Sequence, residues 1–440
     1  MEEKKLTLLQ AVSLAVGTMI GASIFSIFGV GVETAGTDLP FAFLLSGLYA
    51  LMVGYSYAKL GTKIVSNAGP VAFVEKAFGN NPITGTLSIL MWTSYVVSIS
   101  LFAISFAGYF LPLIHLNNYA LNTFVVVIII AVFGALNYFG GSSAVGKLEF
   151  WIVLTKLLIL LLFIVAGLAS FNPSYVKPNF SPEGIRGILN ASVIFFLSYM
   201  GFGLITNASE NIENPQRTVP KAIYISIITV IVIYVLVSLS ALGAVPVWKL
   251  AKYQENALAV AAEPALGKFG FVLLSIGALI SISSALNATL YSGANAAYAL
   301  MKEGYIPHPR KQLKREWMSE HFGLYLTCTL ALLFALLFNI TSVASIISLV
   351  TTILYIFVLF SHIKLIETKK AEGRKGIVFF NLIVITFVAI EILIFQLKNS
   401  PKTFVTSILI LIGCFTAEIL YYGKQRKIRI FRRKEAKPTI

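Results

Sequence analysis

Two glycines four residues apart, Gly17 and Gly21, interrupt an otherwise apolar run near the start of the chain. Each costs a helix interior about 1 kcal/mol relative to alanine, so this run is built to open. In an apolar medium an opened helix is tolerated only where protein or a polar cavity satisfies its freed backbone groups. The amides of Gly21, Ala22, Ser23 and Ile24 would begin the second half and favour a carboxylate. Carbonyls near Gly17 and Met19 would end the first half and favour an ammonium. Backbone alone would then match both charges of a zwitterion.

A second interrupted run, Phe195 to Gly203, carries Gly201 and Gly203 and would add carbonyls near Phe196, Leu197 and Met200. Met19, Ile20, Phe196, Leu197 and Met200 surround the breaks without a charge among them, which points to neutral amino acids. Core packing accounts for the same residues, and glycines alone also serve close helix contact.

Lys156 is the sharpest single side chain. It falls about ten residues into an apolar run, roughly 15 Å deep at 1.5 Å per residue. A charged lysine at a bilayer centre costs about 2.5–3.5 kcal/mol, so it should face the bundle interior. Amines removed from water give up protons more readily. Lys156 is therefore the candidate proton carrier, against the plainer reading of a structural lysine bonded to carbonyls. Ser281, Ser283, Ser284 and Asn287 are polar residues that could meet it, although serines at helical spacing often only mediate packing. Glu391 reads as a helix contact. No nucleophile–base set and no metal-ligand spacing appears, so no enzyme and no metal site is expected. Cys328 and Cys414 sit in apolar runs as small core residues.

These residues need elements that cross a membrane. Of 440 residues 57% are hydrophobic and only 12% charged, about half the charge of a soluble domain. Ala222 to Pro246 and Phe269 to Leu300 carry no charge, and each exceeds the roughly 20 residues a spanning helix requires. Twelve spans are predicted, at 8–33, 40–62, 83–113, 120–139, 146–170, 187–210, 219–244, 268–300, 322–338, 342–364, 376–397 and 402–422. The first continues past any signal-peptide length. Short helices are expected over 71–78 and within 247–267, the latter across the outer mouth.

The net charge of +15 is a topology signal and not a nucleic-acid footprint. Of 34 Lys and Arg, 26 fall on the side of both chain ends, 7 on the other, and Lys156 within a span. Cytoplasmic loops carry the excess, so both termini are expected in the cytoplasm of a multi-pass plasma-membrane protein. The polybasic tail 423–440 would at most touch anionic lipid.

Gly21 and Gly201 are 180 residues apart, as are Pro40 and Pro220. Five spans separate the copies, so the repeat is inverted. Paired interrupted spans in two halves are the best sequence pointer to a transporter site. The expected division is an N-tail (1–7), a first repeat of spans one to five (8–170), an inverted second repeat of spans six to ten (187–364), two further spans (376–422) and the basic tail.

Gly17-Thr18-Met19-Ile20-Gly21-Ala22-Ser23-Ile24-Phe25 resembles the first-span motif of amino acid–polyamine–organocation (APC) transporters. Glu210-Asn211-Ile212-Glu213-Asn214-Pro215 resembles the loop after their sixth span. Val65 to Pro70 and the span with Lys156 look most like archaeal proton-coupled members. The resemblance implies an all-α, LeuT-like five-plus-five fold with helices 1 and 6 broken. It implies a substrate carboxylate on the amides of Gly21, Ala22 and Ser23, and its ammonium on the carbonyls of Met19, Leu197 and Met200. It further implies that the Lys156 ammonium takes the place of sodium, near the Gly17 carbonyl and Ser283/Ser284. Sodium is then not expected as a coupling ion. The aromatic gate of the exchanger subgroup is replaced near Leu197, which speaks against obligate exchange.

The sequence thus reads as a secondary transporter, a proton symporter of neutral L-amino acids without cofactor or obligatory protein partner. The alternatives are an exchanger or uncoupled carrier of the same fold and, from another class, a nutrient receptor or channel.

Overall fold

The computed structural model describes residues 5–435 apart from 67, 80, 117, 141–144 and 304–315. The ends of the expected N-tail and basic tail, 1–4 and 436–440, lie outside the described residues, as do side chains from 421 onward and those of Ala22 and Ser23. Among the described residues the chain is helical, with one isolated β-bridge and no strand. Ten helices are long and apolar enough to cross a membrane, and Leu8–Met19 and His321–Leu337 are shorter apolar ones.

The first long element is α1 (Leu8–Met19), a π-helical turn (Ile20–Ile24) and α2 (Phe25–Ala35). Thr7 and Gln10 form a capping box at its start, satisfying amides that a helix end leaves open. Next come α3 (Leu39–Gly61), the short α4 (Pro70–Phe78), α5 (Pro82–Leu113), α6 (Tyr119–Gly140) and α7 (Val145–Ala169). The sixth long element is α8 (Pro182–Phe195), a 3-10 segment (Phe196–Phe202) and α9 (Gly203–Asn207). After it follow α10 (Pro215–Ala244), α11 (Val247–Lys252), α12 (Ala257–Glu303), α13 (Glu316–Leu337), α14 (Ile340–Glu367), α15 (Lys375–Asn399) and α16 (Pro401–Glu435). α12 turns at Gly267 (φ 61°), where the left-handed conformation suits only glycine. Asn339 separates α13 from α14 by accepting the Ser342 amide, 2.9 Å.

Proline stands in the first turn of α3, α4, α5, α8 and α10, where its missing N–H costs nothing. Inside the helices hydroxyls mostly bond the carbonyl one turn back, as Ser46, Ser105 and Thr352 do. Such bonds leave few polar groups facing a lipid phase.

Both sequence breaks differ in form from the expectation of an unwound helix. The first widens into a π turn and the second tightens into a 3-10 segment, and Gly21 and Gly201 lie one in each. A change of helix type re-registers the amide–carbonyl pairs while keeping the chain wound, which exposes less backbone than full unwinding.

Glycine sets the closeness of these elements. A Cβ on Gly201 would lie 2.7 Å from Met19 Cγ and 2.8 Å from the Ala15 carbonyl oxygen. At the face holding the chain ends, the Leu6 amide donates to the Asn211 carbonyl (2.7 Å) and the Glu213 amide to the Leu6 carbonyl (2.9 Å). Lys63 pairs with Glu372 at 2.8 Å on the same face, and that exposed ion pair holds the Glu372 carboxyl below its ordinary range. Gly201→Val should force α1 and the 3-10 segment apart and cost about 1–3 kcal/mol. Thermal unfolding in detergent checks this, with a lowered midpoint expected, and no lowering expected for Gly413→Ala, which faces open space.

Candidate functional site

α7 carries Lys156 into the interior, where it is 2% exposed. Its Nζ donates to the Gly17 carbonyl at 2.5 Å. Gly21 is the other close backbone: a Cβ there would stand 2.8 Å from Nζ. The Ser281 hydroxyl of α12 donates to the Gly21 carbonyl at 3.1 Å. Three helices therefore meet at the first interruption, joined by one amine, one hydroxyl and two carbonyls.

The second interruption is joined to the first from α10. Tyr234 Oη donates to the Met19 carbonyl at 2.6 Å and reaches the Ser198 carbonyl at 3.3 Å. Tyr234 is fully buried, and a buried tyrosine hydroxyl requires such partners. Thr351 of α14 donates to the Met200 thioether at 3.3 Å, and Tyr199 fixes the 3-10 segment by donating to the Phe43 carbonyl at 2.9 Å.

Between these parts lies a cavity of about 180 Å³. Gly17, Met19, Lys156, Leu197, Met200 and Ser284 line it, as do Ser94, Tyr95 and Ser98 of α5 and Thr351. It extends to Pro70 and Asn207, towards the face of the chain ends. Towards the other face Phe25, Tyr109, Phe43 and Phe195 are buried, with Tyr109 Oη donating to the Phe25 carbonyl at 3.1 Å. Lys156 is the only Lys, Arg, Asp or Glu among the lining residues described.

Placement of the sequence-derived candidates is uneven. Ile20, Gly21 and Phe196 are buried beside the cavity without lining it. Ala22 and Ser23 contribute backbone to the π turn. The Met19 carbonyl, expected to face a substrate ammonium, is occupied by Tyr234. Ser284 lines the cavity and Ser281 bonds the Gly21 carbonyl, while Ser283, turned 100° from Ser284, is not among the lining residues. Tyr234 was missed. The charge-free stretch 222–246 holds two tyrosines, Tyr224 and Tyr234, and only the fold shows that Tyr234 is the one turned onto the interrupted helices.

A bundle of apolar helices, two of them interrupted where they flank an interior cavity with a buried lysine, is the architecture of a membrane transporter. The chain matches the amino acid permease family model over residues 6–416. It is 56% identical over 425 residues to a protein of Methanocaldococcus jannaschii described as uncharacterized, covering 96% of both chains. It is 32% identical to the inner membrane transport protein YbaT of Escherichia coli over 82% of this chain and 84% of that one. Identity to the branched-chain amino acid permease BcaP of Bacillus subtilis is 24%, over 81% and 79% respectively. The chain belongs to the amino acid permease family, within the APC superfamily. It is a multi-pass membrane protein of a transporter family and not an enzyme.

Tyr234→Phe removes one donor from two buried carbonyls, a change of about 1–3 kcal/mol. Purified Tyr234→Phe should melt lower than the wild type and bind amino acids about tenfold more weakly. Isothermal titration alongside thermal unfolding separates the two effects.

Proposed function

We propose that the protein is a secondary active transporter of neutral L-amino acids, coupled to protons through Lys156 and working by alternating access. The observation that carries this reading is the buried Lys156 Nζ bonded to the Gly17 carbonyl, where the first helix changes type. An ammonium at that point ties α7 to α1. A neutral amine binds the carbonyl less strongly, since hydrogen bonds from charged donors are roughly twice as strong. Proton binding on one side and release on the other would bias α1 between two positions, and differential affinity of this kind is what couples two fluxes.

The substrate class follows from the lining. Apart from Lys156 the described wall offers hydroxyls, thioethers, the Asn207 amide and apolar surface, with no further charge to meet a charged side chain. Substrate would lie between the interruptions, with its carboxylate towards the amides of the π turn near Gly21, Ala22 and Ser23. Its ammonium would face the carbonyls of Leu197 and Met200. Both termini are assigned to the cytoplasm from the cation bias. On that orientation the cavity opens inward and the α11 face is the closed outer mouth.

The test is uptake of a neutral amino acid into proteoliposomes. Wild-type uptake should saturate, should rise severalfold under an inward proton gradient and should be indifferent to replacing sodium by choline. Lys156→Ala should lose the proton stimulation. Stimulation that survives in Lys156→Ala would remove Lys156 as carrier and favour the exchanger reading, which requires amino acid on the far side. Flux that fails to saturate would favour a channel.

A further inference from the structure

The outer mouth is closed by the segment joining α11 to α12. The Gln254 backbone lies on Gly29 of α2, so closely that a Cβ there would collide with it, and Gln254 Nε2 donates to the Glu33 carboxylate. Next to Gln254, the Glu255 side chain fills the space left by Gly108 of α5: its Cβ, Cγ and Oε2 would all fall within 3.0 Å of an added Cβ. A carboxylate is thus pressed into the helix that scaffolds the cavity, by the very segment that must leave when the mouth opens.

We propose that Glu255 is a second proton-binding site, which takes a proton from the outer solution as the mouth closes and returns it there on opening. The proposal rests on the alternating-access reading but not on Lys156 as carrier. Glu255 stands between α11 and α12 and is not among the residues lining the cavity, and its exchange is with the outer solution alone. It sets instead how readily the loaded transporter shuts against the outside.

The surroundings fit a group that is neutral when enclosed. From α5 the neighbour of Gly108 is Tyr109, whose hydroxyl is engaged by the Phe25 carbonyl. From α2 the charged group is Glu33, already bonded to Gln254. α11 carries Lys249 and the exposed Lys252, which lies over the Tyr253 ring at 5.9 Å, and α12 brings Glu263. Among the described residues none of these forms an ion pair with Glu255. Burial accordingly pushes its carboxyl above the ordinary carboxylate value.

The sign follows from linkage. The closed mouth holds the raised pKa, and an open mouth would return Glu255 to water and its ordinary value. Protonation therefore favours closure, and the closed state gains as external pH falls through the window between the two values. At higher pH, closure must press a half-buried carboxylate against Gly108 with no ion-pair partner among the described residues.

Spin labels at Lys252→Cys and Leu116→Cys, in a cysteine-free background in liposomes, report the gap between α11 and the end of α5. Acidification from neutral towards the ordinary carboxylate value should raise the short-distance population about threefold or more. Glu255→Gln, which mimics the protonated group, should stay at the short distance at every pH, while Glu255→Asp keeps a pH response. Gly108→Ala should shift the population to the long distance throughout, which guards against misreading a poorly folded Gln variant. Lys156→Ala should retain the acid response. An acid response that persists in Glu255→Gln, or is absent in the wild type while a neutral amino acid still switches the distance, overturns the proposal alone. A single distance, unmoved by pH or amino acid, overturns the alternating-access reading with it.

Discussion

An amine out of water needs an acceptor, and here backbone supplies one. Lys156 is held by the Gly17 carbonyl, one turn before α1 widens into its π segment. The widening shifts amide partners by one residue and frees carbonyls to accept from the side. Gly21 completes the arrangement by leaving room for Nζ. The interruption of the first helix and the lysine of the fifth long element are therefore one constraint.

The same logic extends to the second interruption. Most hydroxyls donate within their own helix, but five that cross between helices end on carbonyls of the interrupted elements. Ser281 bonds Gly21, Tyr234 bonds Met19 and Ser198, Tyr109 bonds Phe25, Ser46 bonds Ser192 and Ser348 bonds Val193. The donors come from α12, α10, α5, α3 and α14, so five surrounding helices grip two central ones. A hydroxyl–carbonyl contact is worth about 1 kcal/mol net and is readily exchanged for water. Contacts of that size hold a helix in register yet permit it to move.

How much of this was legible in the sequence depended on whether a residue broke a local rule. Gly17 and Gly21 in an apolar run, and Lys156 in another, violate what a spanning helix prefers, and the structure brings the three together. Tyr234 and Ser281 violate nothing: a tyrosine or serine in an apolar helix is ordinary until the facing carbonyl is known. The shape of the breaks was also hidden, because glycine marks where a helix can yield but not whether it widens, tightens or unwinds. Residue type could not separate Ser283 from Ser284 either, although one residue along a helix is 100° of arc and only Ser284 lines the cavity. At the outer mouth, helical character in 247–267 was apparent, while the fit of Glu255 into Gly108 depends on two positions remote in sequence.

The pairing of Leu6 with the Asn211–Glu213 stretch has a practical side. Leu6 directly precedes the cap of α1, so the first helix of the bundle begins in a backbone clasp on the segment leading into α10. Anything fused ahead of the chain would pull on that clasp, and through it on the helix holding the lysine's acceptor. A reporter or affinity handle placed at the amino end is thus mechanically wired to the interrupted first helix, whereas one following α16 hangs from a helix at the bundle's edge. For labelling, immobilisation or force measurements the two ends of this protein are not equivalent.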